Sequence, residues 1–328
     1  MLAVKVEPKN AEQVKQQLIQ DELFAQGYKI LSKEGFIYFP VTERKGKYDF
    51  VDIELDKLKR KPKVKDLVKE RFSKNLKTSM EVVGDIAIVE VDNPEDEAEF
   101  GKIVIESNPN VKTVLNKSGI HEGKFRTQKM KVIAGEKTKE TVHKENNARL
   151  KLNVEKVYFS ARLSTERKRI LDLVKKGESV LVMFSGCGPY PCVIAKNTEA
   201  EEVFGVEMNP EGHKYAKENV KLNKLNNVKL YCGDVNDILP KLKKKFDRIL
   251  MPLPKTAEDF LDSALKVCKK GTIIHFYNFL KEEEFYKAHE WINAACLRAK
   301  KKCKILETIK CGQHAPYVFR VCVDFKII

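Results

Sequence analysis

Two glycines and two carboxylates follow successive apolar runs in the second half of the chain. Gly186 and Gly188 come after the run at 180–184, Glu207 ends the next run, and Asp234 follows the third. Glycine lets the backbone approach a ligand closely. A carboxylate at a strand end accepts hydrogen bonds from a ribose diol, and one at Asp234 could bond an adenine amino group. The pattern favours an adenosine-containing ligand.

Each of these signals also has a purely structural interpretation. A G-x-G turn is common in tight strand-to-helix connections. Asn209-Pro210, directly after Glu207, also begins a helix well, because proline suits the first helical position. In addition, Val182 or Met183 stands where an acid often precedes the glycine turn of proteins that bind S-adenosylmethionine.

The elements that must position these residues alternate between strands and helices from residue 158 onward. Apolar runs at 180–184, 203–208, 228–234, 248–254 and 271–279 are separated mostly by amphipathic segments. This alternation predicts a parallel sheet with helices on both faces. Two further strand-like runs in 302–328 predict a hairpin at the sheet edge. The strand count favours a class I, Rossmann-like methyltransferase over a dinucleotide dehydrogenase.

Two smaller α+β segments precede this region. Residues 1–60 combine a helix over 11–19 with strands at 36–41 and 49–55, and a charged linker follows at 56–66. The second segment, 64–157, has strand-like runs at 82–91 and 102–107. We therefore expect three domains, 1–60, 64–157 and 158–328.

The net charge favours a polyanionic partner. The 328 residues carry a formal charge of +15. Within 56–77 there are ten Lys/Arg against three Asp/Glu, and within 124–151 nine against three. Basic stretches outside the glycine-turn region are typical of nucleic-acid binding, although a generally basic surface would give the same counts. We expect the two N-terminal domains to bind RNA.

Membrane and metal partners are not expected. No apolar run approaches the roughly 20 residues that span a membrane, and the polar N-terminus does not resemble a secretory signal. The eight cysteines form no C-x-x-C pair, so we expect no zinc site and reduced thiols. These features predict a cytoplasmic protein without a metal.

Several motifs together resemble the tRNA (guanine-N1)-methyltransferases of archaea and eukaryotes, which modify guanosine 37, next to the anticodon. The resemblance covers the whole second half and extends upstream to 124–126 and 143–146. The motifs are YFSARLSTER (158–167), MFSGCGPY (183–190), VEMNP (206–210), NVKLNKLN (219–226), GDV (233–235) and MPLPK (251–255). In this order they are highly specific.

The resemblance implies S-adenosylmethionine as cofactor and tRNA as partner, with the first domain at the tRNA elbow and the middle domain at the anticodon arm. It implies cofactor contacts at Arg167, Gly186, Gly188, Glu207, Met208, Asp234, Val235 and Pro252, and target contacts at Arg162 and Pro254. Glu166 matches the proposed general base, and Arg126 matches the arginine that steadies the purine oxygen. Guanine N1 carries a proton, so its alkylation needs both groups.

Two departures from the family pattern border the pocket. Val182 replaces an acid, and Pro252-Leu253-Pro254 replaces Asn-Leu-Pro. A proline variant is compatible with an archaeal branch, associated with wyosine biosynthesis, that also methylates carbon 7 of a tricyclic base derived from guanosine 37. The interpretation is N1 methylation of guanosine 37, with C7 methylation of 4-demethylwyosine left open as a second activity.

Two alternatives are also compatible with the sequence. A related aminocarboxypropyl transferase uses the same cofactor but donates a different group; Arg162 and Leu253-Pro254 argue against it. A non-catalytic RNA-binding protein with the same fold is disfavoured by the presence of Glu166 and Arg126.

Overall fold

The computed structural model describes residues 1–58, 62–74, 76–253 and 255–328. The chain forms two compact units, Met1–Lys63 and Val64–Ile328. Within the described ranges, no helix is both long enough and apolar enough to cross a membrane.

The first unit is a four-stranded antiparallel sheet with one helix. Its elements are β1 (Leu2–Val6), α1 (Ala11–Gln20), β2 (Leu31–Lys33), β3 (Phe36–Pro40) and β4 (Phe50–Asp52), with strand order β2-β3-β1-β4. Leu18 of α1 is completely buried and packs with Val4 and Phe39 of the sheet. The predicted helix at 11–19 and strand at 36–41 are confirmed, with small changes at their ends, whereas only 50–52 of the strand predicted at 49–55 form β4.

The second unit begins with a four-stranded sheet and a two-stranded hairpin. The elements are α2 (Val64–Arg71), β5 (Met80–Val83), β6 (Ile86–Val89), α3 (Pro94–Ser107), β7 (Thr113–Glu122), β8 (Thr127–Gly135), β9 (Glu140–Glu145) and β10 (Ala148–Asn153). The sheet order is β5-β6-β7-β8, with only β6 and β7 parallel, and β9 pairs with β10.

Two strand predictions in this region are wrong. The run at 82–91 is not one strand, because Gly84, at φ +59°, turns the chain between β5 and β6. Residues 102–107 form the end of α3. Pro94 starts that helix, and Phe100, Ile103 and Val104 are buried at helical spacing against the sheet. Packing on one face of a helix therefore outweighs the strand preference of the β-branched residues.

The rest of the second unit is a seven-stranded sheet flanked by helices. Its elements are α4 (Ser164–Leu173), β11 (Ser179–Met183), α5 (Pro189–Asn197), β12 (Glu202–Glu207), α6 (Pro210–Leu222), β13 (Val228–Cys232), α7 (Val235–Leu242), β14 (Phe246–Met251), α8 (Leu261–Lys266), β15 (Cys268–Lys281), α9 (Phe285–Arg298), β16 (Cys303–Ala315) and β17 (Val318–Ile327).

The strand order of this sheet is β13-β12-β11-β14-β15-β17-β16. The first five strands are parallel, and β17 runs antiparallel between β15 and the edge strand β16. The predicted parallel sheet and terminal hairpin are confirmed. The order reverses at β11, and ligands bind beyond the carboxyl ends of the strands at such a point.

Two asparagine side chains hold the β9–β10 hairpin against the seven-stranded sheet's helices. The fully buried Asn219 of α6 accepts from the Lys151 N–H at 2.7 Å and donates to the Lys151 and Cys187 carbonyls, both at 2.9 Å. One turn later, Asn223 bonds the N–H and carbonyl of Arg149 at 2.8 and 2.7 Å. The motif at 219–226 thus fixes the hairpin beside the glycine turn.

Candidate active site

A cavity of about 390 Å³ lies at the carboxyl ends of β11, β12 and β14. Its size and its mainly apolar wall are typical of a small-molecule site. The wall combines aromatic rings with a few polar groups, and the β7–β8 turn closes one side. The lining includes Arg126, Tyr158, Phe159, Arg167, Phe184, Gly186, Tyr190, Glu207, Met208, Pro252, Leu253 and Phe260.

The glycine turn contacts the end of the next strand. Gly186 has φ +55° and donates its N–H to Glu207 Oε2 at 2.6 Å. Gly188, at φ +83°, caps α5, and a Cβ there would lie 3.2 Å from the Ala216 Cβ. Gly186 therefore forms part of the cavity wall, whereas Gly188 allows α6 to pack closely and does not line the cavity.

Glu207 is held in place by backbone donors. Its Oε1 accepts from the Asn209 N–H at 2.8 Å, while Oε2 accepts from Gly186. Burial raises the pKa of Glu207 in spite of these bonds. Asn209, not Glu207, caps α6 through the Glu211 N–H at 3.0 Å. Each carboxylate oxygen keeps acceptor capacity for a hydroxyl of a bound ligand, so the ligand and capping interpretations coexist in neighbouring residues.

Phe184 lines the cavity, although the sequence pattern does not single it out. It adopts φ +57°, a rare left-handed conformation for a bulky side chain, and strained backbone of this kind is concentrated at ligand sites. Its ring lies 4.9 Å from that of Phe260, edge to face, on the cavity wall. The available signal was its position between an apolar strand and the glycine turn.

Val182, at the position where the family commonly has an acid, is a core residue. Its side chain is completely buried and packs with Ile170 and Tyr190 in the layer between the sheet and its helices. It does not line the cavity, and an acid buried here would need a partner within the core.

Arg126 brings a cation to the cavity from the β7–β8 turn. Its Nη2 donates to the Lys255 carbonyl at 3.1 Å, in the loop that follows β14. Burial, and the neighbouring Arg320 charge, lower its pKa, while Tyr158 raises it. An arginine remains protonated under these conditions. The β7–β8 turn therefore places a fixed positive charge in the cavity wall, at the loop that follows β14.

Arg167 pairs with a carboxylate from the β9–β10 hairpin. Both residues are buried, and the guanidinium bonds Glu145 through Nε and, at 2.6 Å, through Nη2. Nη2 also donates to the Ser160 carbonyl at 3.0 Å. Although burial opposes it, hydrogen bonds from His143 and Arg167 lower the pKa of Glu145. This ion pair fixes α4 and the hairpin around one wall of the cavity.

Glu166 is buried. Its position on a helix would by itself suggest an exposed side chain. Its carboxylate accepts two bonds from Arg169, at 2.7 and 2.8 Å, and one from the Tyr277 hydroxyl at 2.6 Å. It does not line the cavity. The Tyr277 hydroxyl lies 3.3 Å from that of Tyr190, which does. Its role as a base remains a prediction.

A chain of buried charges continues behind Glu166. Arg169 bonds Asp324 at 2.7 Å, Asp324 bonds His275 at 2.6 Å, and His275 lies 2.7 Å from Arg248. His275, Asp324 and Cys322 have the ligand types and spacing of a metal site. The two arginines already engage the imidazole and the carboxylate, however, and their charges disfavour a cation there.

The other predicted site residues divide into two groups. Met208 and Pro252 line the cavity. Asp234 instead caps α7 through the Asn236 N–H at 2.8 Å, Val235 is buried as the first residue of that helix, and neither lines the cavity. Arg162 is exposed on the turn before α4 and also lies outside the lining. Pro254 lies outside the described residues.

Comparisons with known proteins agree along the chain. Residues 141–306 match the TRM5/TYW2 methyltransferase domain, 63–138 the TYW2 N-terminal domain, and 3–49 the tRNA methyltransferase 5 N-terminal domain. The tRNA (guanine(37)-N(1))-methyltransferase Trm5b of Pyrococcus abyssi is 38% identical, over 99% of both chains.

Two further relatives are informative. The tRNA (guanine(37)-N(1))/4-demethylwyosine(37)-methyltransferase Taw22 of Nanoarchaeum equitans is 35% identical over 63% of this chain and 85% of its own. The protein chain in a solved complex of aTrm5 with tRNALeu is 31% identical to this chain. The match covers 100% of both chains, with a TM-score of 0.74.

The Glu145–Arg167 pair yields a stability prediction. Glu145→Gln is expected to lower the free energy of unfolding by about 3–5 kcal/mol near neutral pH, because it leaves a buried guanidinium without its counter-charge. The folded-state pKa of Glu145 is lowered. Its stabilisation is therefore present above the ordinary glutamate pKa and is lost as the pH falls through the folded-state value. Urea unfolding across this pH range measures both effects.

The matched control is Asp172→Asn, which removes the exposed ion pair with Lys168 on the same helix. It should cost less than about 0.5 kcal/mol. Equal losses in the two variants, or a Glu145→Gln loss that does not shrink in acid, would show that the buried pair is not what stabilises this wall.

Proposed function

The chain belongs to the TRM5/TYW2 methyltransferase family, and we propose that its cavity serves the methylation of guanosine 37 of tRNA at N1, with S-adenosylmethionine as the methyl donor. The observation that carries the proposal is the single cavity that combines the Gly186–Glu207 corner with the guanidinium of Arg126. The Gly186–Glu207 corner suits a nucleoside cofactor, and Arg126 suits a nucleobase that develops negative charge.

The residues present fit this cofactor, which supplies a methyl group on a positively charged sulfur. Glu207 has free acceptor capacity for the ribose hydroxyls, and the left-handed Gly186 exposes backbone beside it. Met208 and Phe184 add apolar surface to the wall. We assign the ribose to Glu207. Asp234, Val235 and Gly188 remain proposed cofactor residues that the cavity wall does not include.

The target purine needs a cation near O6 and a base near N1. Arg126 lies in the cavity wall, and we assign it to O6. We keep Glu166 as the proposed base. Its Oε1 accepts the Tyr277 hydroxyl, and the Tyr190 hydroxyl lies next in line toward the cavity. This chain of hydroxyls supports a proton route from the cavity to Glu166, and Arg162 remains the proposed contact outside it.

Pro252 suggests a wider acceptor range. It lines the cavity and has neither a side-chain polar group nor a backbone N–H. A wall without those groups discriminates less by hydrogen bonds and admits a tricyclic purine. We therefore propose C7 methylation of 4-demethylwyosine as a second activity. Transfer of an aminocarboxypropyl group is the alternative, disfavoured by the full-length match to a methyltransferase.

We further propose that tRNA contacts extend from the anticodon arm to the elbow, with residues 1–60 at the elbow and 64–157 at the arm. The charge of +15 and the basic stretches at 56–77 and 124–151 support a long polyanionic partner. Whole tRNA should bind more tightly than an isolated anticodon stem-loop of the same sequence. Equal affinities for the two RNAs would rule out the proposed contact with the elbow.

Two purified tRNAs test the function directly. One carries unmodified guanosine 37, and the other carries 4-demethylwyosine there. We expect a gain of one methyl mass on the first and, if Pro252 widens the pocket, also on the second. Nucleoside mass spectrometry identifies the product and its position.

Methylation of guanosine alone would rule out C7 methylation as a second activity. Methylation of the tricyclic base alone would contradict N1 methylation as the primary activity. The mass of an aminocarboxypropyl group would support the alternative enzyme.

Glu207→Gln should weaken S-adenosylmethionine binding by about 10- to 100-fold, because a charge-assisted bond is worth about 1.5–3 kcal/mol. Asp234→Asn, at a carboxylate outside the cavity wall, is the comparison, and we expect a loss below about 10-fold. Calorimetry measures both affinities. An unchanged affinity for Glu207→Gln, or a larger loss for Asp234→Asn, would move the ribose away from Glu207.

Glu166→Gln should slow single-turnover methyl transfer by about 10²-fold or more, as expected for a lost base, with cofactor and tRNA affinities preserved. Arg126→Ala should act on the same step. Asp172→Asn, an exposed acid on the same helix, is the control and should leave the rate unchanged. A Glu166→Gln rate near that of the unmodified protein would exclude the proton-accepting role.

A further inference from the structure

The tip of the β16–β17 hairpin lies beside the cavity but is not part of it. The turn contains Tyr317, which is 80% exposed at φ +61°. Further along β17, Arg320 pairs in register with Phe279 near the end of β15. Arg320 Nη2 donates to the Tyr158 hydroxyl at 3.1 Å, and Tyr158 lines the cavity. Arg320 therefore joins this hairpin to the cavity wall.

A stack of flat groups lies where the end of this hairpin packs beside β15. The rings of His314 and Phe279 are nearly parallel, with centroids 3.7 Å apart. The Arg320 guanidinium lies 5.1 Å from the centroid of Phe279. His314 is itself exposed. Stacked aromatic rings with an adjacent arginine are the usual surface for an unpaired nucleobase, since every base has a π-face.

Positive charge surrounds this stack without matching carboxylates. Lys255 is exposed and makes no ion pair with any residue that the structure describes. Arg320 likewise has no carboxylate partner there, and its buried Nε has no hydrogen-bond partner in the described part of the chain. Burial and the charges of Arg320, Lys255 and Arg126 lower the pKa of His314. Cations without carboxylate partners, next to stacked rings, suit a nucleotide, because its phosphate binds a cation and its base stacks on a ring.

We propose that Tyr317, His314, Lys255 and Arg320 form a nucleotide platform that holds the residue of the substrate RNA next to the methylated base. The base stacks on Tyr317 and His314, and its phosphate lies at Lys255 and Arg320. The proposal rests on tRNA being the substrate. It assigns to the terminal hairpin the task of keeping the neighbouring nucleotide out of the cavity while the target enters.

The test is tRNA binding and methylation with Tyr317→Ala in the full chain. Loss of one stacked base predicts an affinity for tRNA lowered by about 5- to 100-fold, whereas Tyr317→Phe keeps the ring and should bind nearly normally. The control is Leu297→Ala, which truncates a side chain of the same 80% exposure on α9. Cofactor affinity should be unchanged in all three variants, which shows that they fold.

Two further readouts separate stacking from a structural effect. A 2-aminopurine placed on either side of guanosine 37 should be quenched on binding at one of the two positions, and Tyr317→Ala should restore its fluorescence. Lys255→Gln should lower the slope of log affinity against log salt by about one, as for one lost phosphate contact.

If the unmodified protein methylates tRNA while Tyr317→Ala binds as well as Leu297→Ala and leaves the fluorescence quenched, the platform is refuted and the proposed function stands. If the unmodified protein does not methylate tRNA, the proposed function fails first. If Tyr317→Phe weakens tRNA binding as much as Tyr317→Ala does, stacking is also contradicted, because the phenylalanine keeps the ring.

Discussion

The buried ion pair between Glu145 and Arg167 is the constraint on which the site depends. It joins the β9–β10 hairpin, on the middle segment, to α4 at the start of the seven-stranded region. Asn219 and Asn223 hold the same hairpin from α6 by bonding its backbone. With the hairpin fixed on both sides, the segment at 123–126 and the glycine turn can share one cavity. Neither half of the second unit builds that cavity alone.

Glu207, the proposed cofactor contact, and Glu166, the proposed base, are therefore held in place by different kinds of contact. Glu207 is held by backbone N–H groups within the sheet, a local arrangement that depends on the Gly186 turn. Glu166 is held by Arg169 and Tyr277, at the near end of a charge chain that reaches Arg248 across the sheet. The first support is short-range in sequence, and the second joins α4 to strands more than a hundred residues away.

This difference explains what the sequence could predict. The alternation of strands and helices, the terminal hairpin and the Gly186–Glu207 corner follow from local patterns, and all are present in the structure. The end of α3 at 102–107 has the sequence pattern of a strand, because its packing face is visible only against the sheet. The burial of Glu166 and the left-handed Phe184 depend on tertiary contacts, which no local pattern records. Asp234 has the right position in the pattern, yet its side chain caps a helix.

We propose that one cavity holds the cofactor at Glu207 and presents the methyl group toward Arg126. A crystal structure with S-adenosylmethionine and tRNA bound tests it most directly. The account predicts the ribose hydroxyls on the Glu207 carboxylate, guanosine 37 against Arg126, and the transferable methyl between them. A cofactor bound elsewhere, or a target base on the far side of Pro252 from Arg126, would contradict it.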